Sequence, residues 1–590
     1  MSRLPFLFLL CFLAALPGRP LAAEAPPDGA LAAIESLAQA GAPQLALQQL
    51  DQEQPSFDTH PAAWMRWEQA RIRILQAQGD WAGIVARAGA APAEVAPAFR
   101  RWLDTQAARA HLALGQPQAA RSLLRRLLWS AGEDEAQAFA VWRRLVIRSY
   151  LREGRLADAR SALLRYRQDY GEGDEAWRLL SGEVLLRSGD ADAAWKVLDG
   201  LERPQAEPLR LLAGLRSGRL GAKAVLKRAR KALEAEDLPA ALRASLWDVI
   251  AQTKAKVEDR PGRILALERA LALSGGRPAD ALFSADAETL WTAWLDWGQA
   301  VGNEAQLLMG QDEAWYFAAT EALENRHPLR ARVLFAVLGE TTTDTHRRDL
   351  AHDYLAMLIE DLPDGGDLLL ALYLDNPRFP DDLSIPAPIR HRLIDRLLAR
   401  GDIPRAARLM KTLDRPPAGR DRLDWALRRA RVQILAGEVE AGAAVLTGLL
   451  DRGEVPDGPA LDRLMQVIFD LQKLGEHEQA LALLGQVAQR ELQPAKRREL
   501  AFWTAESEEA LGHHARAARL YLFSATALDP FAMNPWAQTA RYHAARALAD
   551  AGFPADAMRQ LRRLLAVTKD PARRAVLEHE IRRLQGSAVR

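Results

Sequence analysis

The chain of 590 residues has a single cysteine, Cys11, set inside an apolar stretch from Leu4 to Leu16. Ser2-Arg3 gives that stretch a short basic start, Pro17-Gly18 breaks it, and Leu21-Ala22-Ala23 offers a cleavage site. Residues 1–23 are therefore expected to be a cleavable secretory signal, and the protein to be periplasmic or secreted. The stretch is shorter than the roughly 20 apolar residues that span a bilayer, and no later segment reaches that length, so no transmembrane segment is expected after signal removal. Leu9-Leu10 in front of Cys11 is not a lipoprotein box. A mature chain starting near Glu24 has no thiol, which excludes disulfides, thiolate catalysis and zinc sites built on sulfur.

Lysine is also scarce: ten stand against 68 arginines, a bias attributable to the coding preference of the genome. Charge of one sign is missing too. The formal net charge is +1 and falls further when Arg3 and Arg19 leave with the signal, which argues against a nucleic-acid partner. Valine-rich alternating runs are absent, whereas Ala, Leu and Arg dominate, so the fold class is all-α. No HExxH, Walker-type loop, GxSxG elbow or dinucleotide fingerprint occurs, and neither a cofactor nor a catalytic residue is expected. His346, Asp349 and Asp353 share a helical face, with His352 just off it, but read as ordinary polar residues rather than a metal site. His513-His514 falls in a turn. Glu508-Glu509 and Asp381-Asp382 could act as acid and base only where a pocket raises one pKa. Trp291, Trp294 and Trp297 form a slowly rotating stripe that could stack on sugar rings, although burial is the commoner fate of tryptophan. Trp315-Tyr316-Phe317 would supply partners for the same core.

What the sequence does have is periodic glycine. Gly41, Gly79, Gly115, Gly154, Gly189 and Gly218 in one half, and Gly401, Gly437, Gly475, Gly512 and Gly552 in the other, lie 29 to 40 residues apart. That is the period of stacked helix pairs, and each glycine is expected to end one helix in the left-handed conformation. Five residues after it a small side chain recurs: Ala120, Ala159, Ala194, Ala406, Gly442, Ala480, Ala517 and Ala557. Nine after it comes a large apolar one: Leu124, Leu163, Leu198, Met410, Leu446, Leu484, Tyr521 and Leu561. Seven before it a second small residue appears in Ala108, Gly182, Ala430, Ala505 and Ala545. Small residues let the two helices approach, and the large ones fill the gap between neighbouring pairs.

These offsets resemble the tetratricopeptide repeat. Ala505, Gly512, Ala517, Tyr521 and Pro530 match it best, followed by Ala545, Gly552, Ala557 and Pro571; the resemblance covers about 30–220 and 390–590. It implies a right-handed superhelical solenoid of antiparallel helix pairs. Between 220 and 390 the glycine and small-residue offsets fail, and Pro377, Pro380, Pro386 and Pro388 make a rigid passage. The chain then divides into a signal (1–23), an N-terminal array (24–219), a degenerate helical region (220–390) and a C-terminal array (391–590). The middle is either degenerate repeats or a bend. Degenerate repeats are preferred, because one continuous helical layer needs no second core.

In repeats of this family the first helices line a concave groove, with the residue six before the turn glycine near its centre. That position reads Arg73, Arg109, Arg148 and Glu183 in the N-terminal half, with Arg66 and Arg144 as neighbours, and Asp395, Arg431, Phe469, Glu506 and Arg546 in the C-terminal half. The arginine run either holds carboxylates or phosphates by paired hydrogen bonds or, as is commoner for arginine, is solvated or salt-bridged within the protein. The resemblance thus implies a non-catalytic scaffold in the cell envelope that binds a protein or acidic peptide. The alternative is a glycan-holding module for cell-wall processing, similar to the helical ring of soluble lytic transglycosylases. That family carries a catalytic domain near its C-terminus, where this chain has its clearest repeats and then Glu578-His579-Glu580-Ile581.

Overall fold

The computed structural model describes residues 28–130, 132, 136–171, 174–274, 282–303, 305–306, 309–374, 376–417, 419–456 and 458–587. The expected signal, 1–23, lies outside them. Every regular element among the described residues is a helix, and none of these helices is long and apolar enough to cross a membrane. Successive helices pair antiparallel, each packing on its neighbours in sequence, as in a helical-repeat fold. Pro61–Gln78 with Trp81–Ala90, Pro97–Ala113 with Pro117–Ser130, and Pro494–Ala510 with His514–Thr526 are examples. Proline opens several of the first helices, where its missing N–H costs nothing.

All eleven glycines adopt positive φ, from 70° to 94°. At Gly512 the amide donates to the Glu509 carbonyl and that of His513 to Glu508, which satisfies two carbonyls the helix leaves open. No atom lies within 4 Å of a Cβ built there, so conformation rather than space demands the glycine. The packing offsets hold as well. The small residues five after the glycine and the large ones nine after it are all buried. Gly182 shows the fit directly, since a Cβ there would lie 2.6 Å from Leu198, the large residue of its own repeat.

The helices pack into two compact units, one ending at Asp259 and one running from Arg260 onward, with residues 282–284 belonging to the first. Helix pairs persist where the glycine rhythm lapses. Asp312–Glu324 and Pro328–Thr341 are joined through Arg326, whose φ is 58° and whose amide donates to Leu323 as the turn glycines do to their own helices. Counted from Arg326, the positions seven before, five after and nine after hold Ala319, Ala331 and Phe335, all fully buried. The repeat is intact there except for its glycine. Glu258, φ 57°, closes Ala240–Lys256 in the same manner.

Unit 2 also departs from simple stacking. Arg260–Ser274 packs against Gly365–Tyr373, far along the chain. Arg332 makes a bidentate pair with Glu268 at 2.9 Å for each bond, and the Trp294 indole donates to the same carboxylate at 3.1 Å. Ala287–Val301 crosses Pro328–Thr341 so closely that a Cβ on Gly298 would lie 2.6 Å from the Val333 carbonyl oxygen. Trp291 and Trp294 are buried in this core, with Trp291 edge-on to His352, Tyr373 and Phe379. Trp315 is buried too, over Gly302, whereas Phe317 is exposed.

Two outcomes follow. Arg326→Gly should stabilise unit 2 by about 1 kcal/mol, because a left-handed backbone costs a non-glycine residue roughly 1–2 kcal/mol and glycine returns part of that as unfolded-state entropy. Gly512→Ala should cost about as much, and urea unfolding of both variants measures it. The second concerns acid. Burial lowers His352 to about 4, and its Nδ1 lies 2.8 Å from the Tyr373 hydroxyl; burial and the Arg390 charge lower His391 to about 4. The unfolded chain takes up protons near pH 6.5 and the folded one does not until about pH 4. Stability is thus complete above pH 6.5 and falls as pH drops to 4, by on the order of 3 kcal/mol for His352. His352→Gln should flatten that slope in a melting-temperature series across this range.

Candidate binding groove

First helices of three successive pairs in unit 1, Pro97–Ala113, Ala136–Arg152 and Glu175–Arg187, enclose a hollow of about 310 Å³. Its walls follow the repeat register. Six before the turn glycine stand Arg109, Arg148 and Glu183; two before it, one helical turn further on, stand Ala113, Arg152 and Arg187; Leu112, Leu145 and Leu151 supply the apolar floor. Four arginines face one carboxylate. Arg187 lies 3.1 Å from Glu183, which leaves three cations uncompensated. Arg109 donates to the Gln106 side chain at 3.2 Å, and neither Arg148 nor Arg152 has a carboxylate partner among the described residues. The guanidinium of Arg109 is held below its usual pKa by burial and by the charge of Arg148. An anion in the hollow would relieve that repulsion.

Arg109 also borders a second hollow of about 670 Å³, walled by Trp102, Val141 and Trp142 and by Arg101, Gln106 and Gln137. The Trp142 indole donates to the Thr105 hydroxyl at 2.8 Å, which fixes its wall. The two hollows together give an aromatic trough leading to a cationic cup.

Of the five arginines expected in the groove, Arg109 and Arg148 come together in this cup. Arg73 is exposed and bound to Glu35 at 2.6 Å, and Arg66 is exposed on the same helix. Arg144 serves as a brace, donating to Asp174 at 2.6 Å and to the Tyr166 hydroxyl at 2.8 Å. Arg152 and Arg187 were missed by counting a single offset; repeating the count four residues later on the same helices finds both. In unit 2 three members of the corresponding series are spent internally. Asp395 takes Arg428 at 2.5 Å, Arg431 reaches Asp470 at 2.8 Å, and Phe469 packs on Trp503. The Glu506 carboxyl is pushed upward by burial and by the charge of Glu509.

The other chemical candidates dissolve into structure. His352 is buried, Asp353 is paired with Arg392 at 2.8 Å, and no group of three or more metal-binding side chains converges among the described residues. Glu508 accepts from His513 and Arg516, Glu509 from the Tyr521 hydroxyl, and Asp382 from Arg408. Burial of Trp291 and Trp294 removes the sugar-stacking stripe.

No family model and no curated protein matches the chain. Among solved structures it is similar to a chain of the APC/C heterotetramer Cut9–Hcn1, with 12% identity, a TM-score of 0.30, and coverage of 95% of this chain and 96% of that one. It is likewise similar to a chain of Naa15/Naa10 bound to HypK-THB, with 14% identity, a TM-score of 0.19 and the same coverage. Both scores are too low to say more of this chain than its helical-repeat fold already does.

Proposed function

We propose that the chain is a non-catalytic scaffold of tetratricopeptide type, working in the periplasm, that holds an acidic protein segment in the groove of unit 1. The observation that carries this reading is the convergence of Arg109, Arg148 and Arg152, unneutralised, on an apolar floor. A carboxylate there replaces like-charge repulsion with charge-assisted hydrogen bonds, worth about 1.5–3 kcal/mol each. The adjoining trough would take an apolar or aromatic neighbour in the same segment. Location rests on the composition of residues 1–23. Because the groove is built from packed helices, the partner bears most of the ordering cost. Burial of Trp291 and Trp294 leaves the glycan reading without the aromatic stripe that could have stacked on sugar rings.

The test is capture from envelope extract, with binding of the recovered segment followed by fluorescence anisotropy. Arg109→Glu combined with Arg148→Glu should weaken binding at least 10-fold and leave the melting temperature within a few degrees of the parent. Binding of the unaltered protein should also fall as salt is raised. Undiminished capture by the double variant would remove the cup from the mechanism. Co-sedimentation with purified cell-wall sacculi, with no protein recovered, would favour the glycan module instead.

A further inference from the structure

The second helix of the pair at Gly218, Ala222–Leu233, carries Lys223, Lys227, Arg228, Arg230 and Lys231 and no acidic residue. All five cations are exposed, and Val225 and Ala229 are buried beneath them. Lysines 223, 227 and 231 are spaced by four and so stand in one line about 12 Å long, with Arg230 and Arg228 on either flank. Three of the ten lysines in the chain therefore sit in one 12-residue helix, in a protein whose net charge is +1. A coding preference for arginine does not produce that clustering.

None of the five has a hydrogen-bond or carboxylate partner among the described residues. Nearby cations are used differently: Arg219 binds Asp192 at 2.8 Å, Lys254 binds Asp259 at 2.5 Å, and Lys256 donates to the Leu215 carbonyl. The C-terminal end of the stripe, Arg228 and Lys231, borders a hollow that contains Asp199 and Glu207 as well as Arg210. Lys223, Lys227 and Arg230 line no hollow described in this unit. A straight line of exposed, unpaired cations on the outer face of one helix suits a flat anionic surface better than a single chain that must be gripped.

We infer that the Ala222–Leu233 helix docks unit 1 on a membrane surface rich in anionic lipid. Lysine fits this task as a compact, hydrated point charge that needs no bidentate geometry. The apolar face of the helix is occupied by the protein, so the contact is electrostatic adsorption without insertion. Each cation near such a surface contributes about a fivefold gain in partitioning, and the gain fades as the screening length falls below about 10 Å. The stripe belongs to a second helix, whereas the cup is lined by first helices, so lipid and acidic segment would use different surfaces.

The test is flotation of the full-length chain with phosphatidylcholine vesicles, with and without phosphatidylglycerol. Binding is expected only with phosphatidylglycerol, and is expected to disappear at high salt. Lys223→Gln, Lys227→Gln and Lys231→Gln together should weaken it on the order of 100-fold, with helicity and melting temperature retained because the side chains are exposed and unpartnered. Lys473→Gln with Lys569→Gln, exposed lysines elsewhere, should change nothing. Equal binding to neutral vesicles, no binding to either, or full binding by the triple variant would overturn the inference. Tighter binding to double-stranded DNA than to the vesicles would overturn it as well and assign the stripe to a soluble polyanion.

Discussion

A left-handed residue at the end of the first helix is the constraint from which the rest of this structure follows. It stops the helix, satisfies its open carbonyls and sends the chain back at a fixed angle. Only then do the positions seven before, five after and nine after face one another. Eleven glycines meet the requirement without strain, while Glu258 and Arg326 meet it at a cost. That the pair around Arg326 still packs Ala319, Ala331 and Phe335 fully shows the steric complementarity between helices outweighing an unfavourable backbone conformation.

The same register carries different electrostatics from one repeat to the next. In unit 2 two members of the groove-facing series are neutralised from within, Asp395 by Arg428 and Arg431 by Asp470, while Glu506 is buried beside the like charge of Glu509. In unit 1 the equivalent positions leave Arg109 and Arg148 facing each other with no acid between them. Repulsion of this kind is tolerated only where solvent or a ligand relieves it. The convergence of Arg109 and Arg148 is therefore a property of that site and not of a chain rich in arginine throughout.

Much of the fold was legible in the sequence because each turn and each small-to-large contact is a local demand repeated many times. The pair at Arg326 escaped because the pattern was keyed to glycine, although its alanines and phenylalanine were in place. The site was half legible. One offset found Arg109 and Arg148, but the side chains a turn later, Arg152 and Arg187, point into the same hollow and needed a second count. Arg73 looked equivalent until Glu35, 38 residues earlier, took its charge. Pairings at that distance leave no periodic trace, and neither does the bond from Arg332 to Glu268, 64 residues apart.

That last bond, with the packing of Arg260–Ser274 against Gly365–Tyr373, has a kinetic consequence. A stacked array can nucleate at any repeat and grow by neighbour contacts, since each pair needs only the next one. The segment from 260 to 373 cannot, because its core is complete only after about a hundred residues have been brought together and the loop entropy has been met. Pairs such as Pro494–Ala510 with His514–Thr526 need only local contacts, so the long-range closure of Arg260–Ser274 on Gly365–Tyr373 is expected to cost unit 2 more loop entropy in folding than any of its neighbouring pairs.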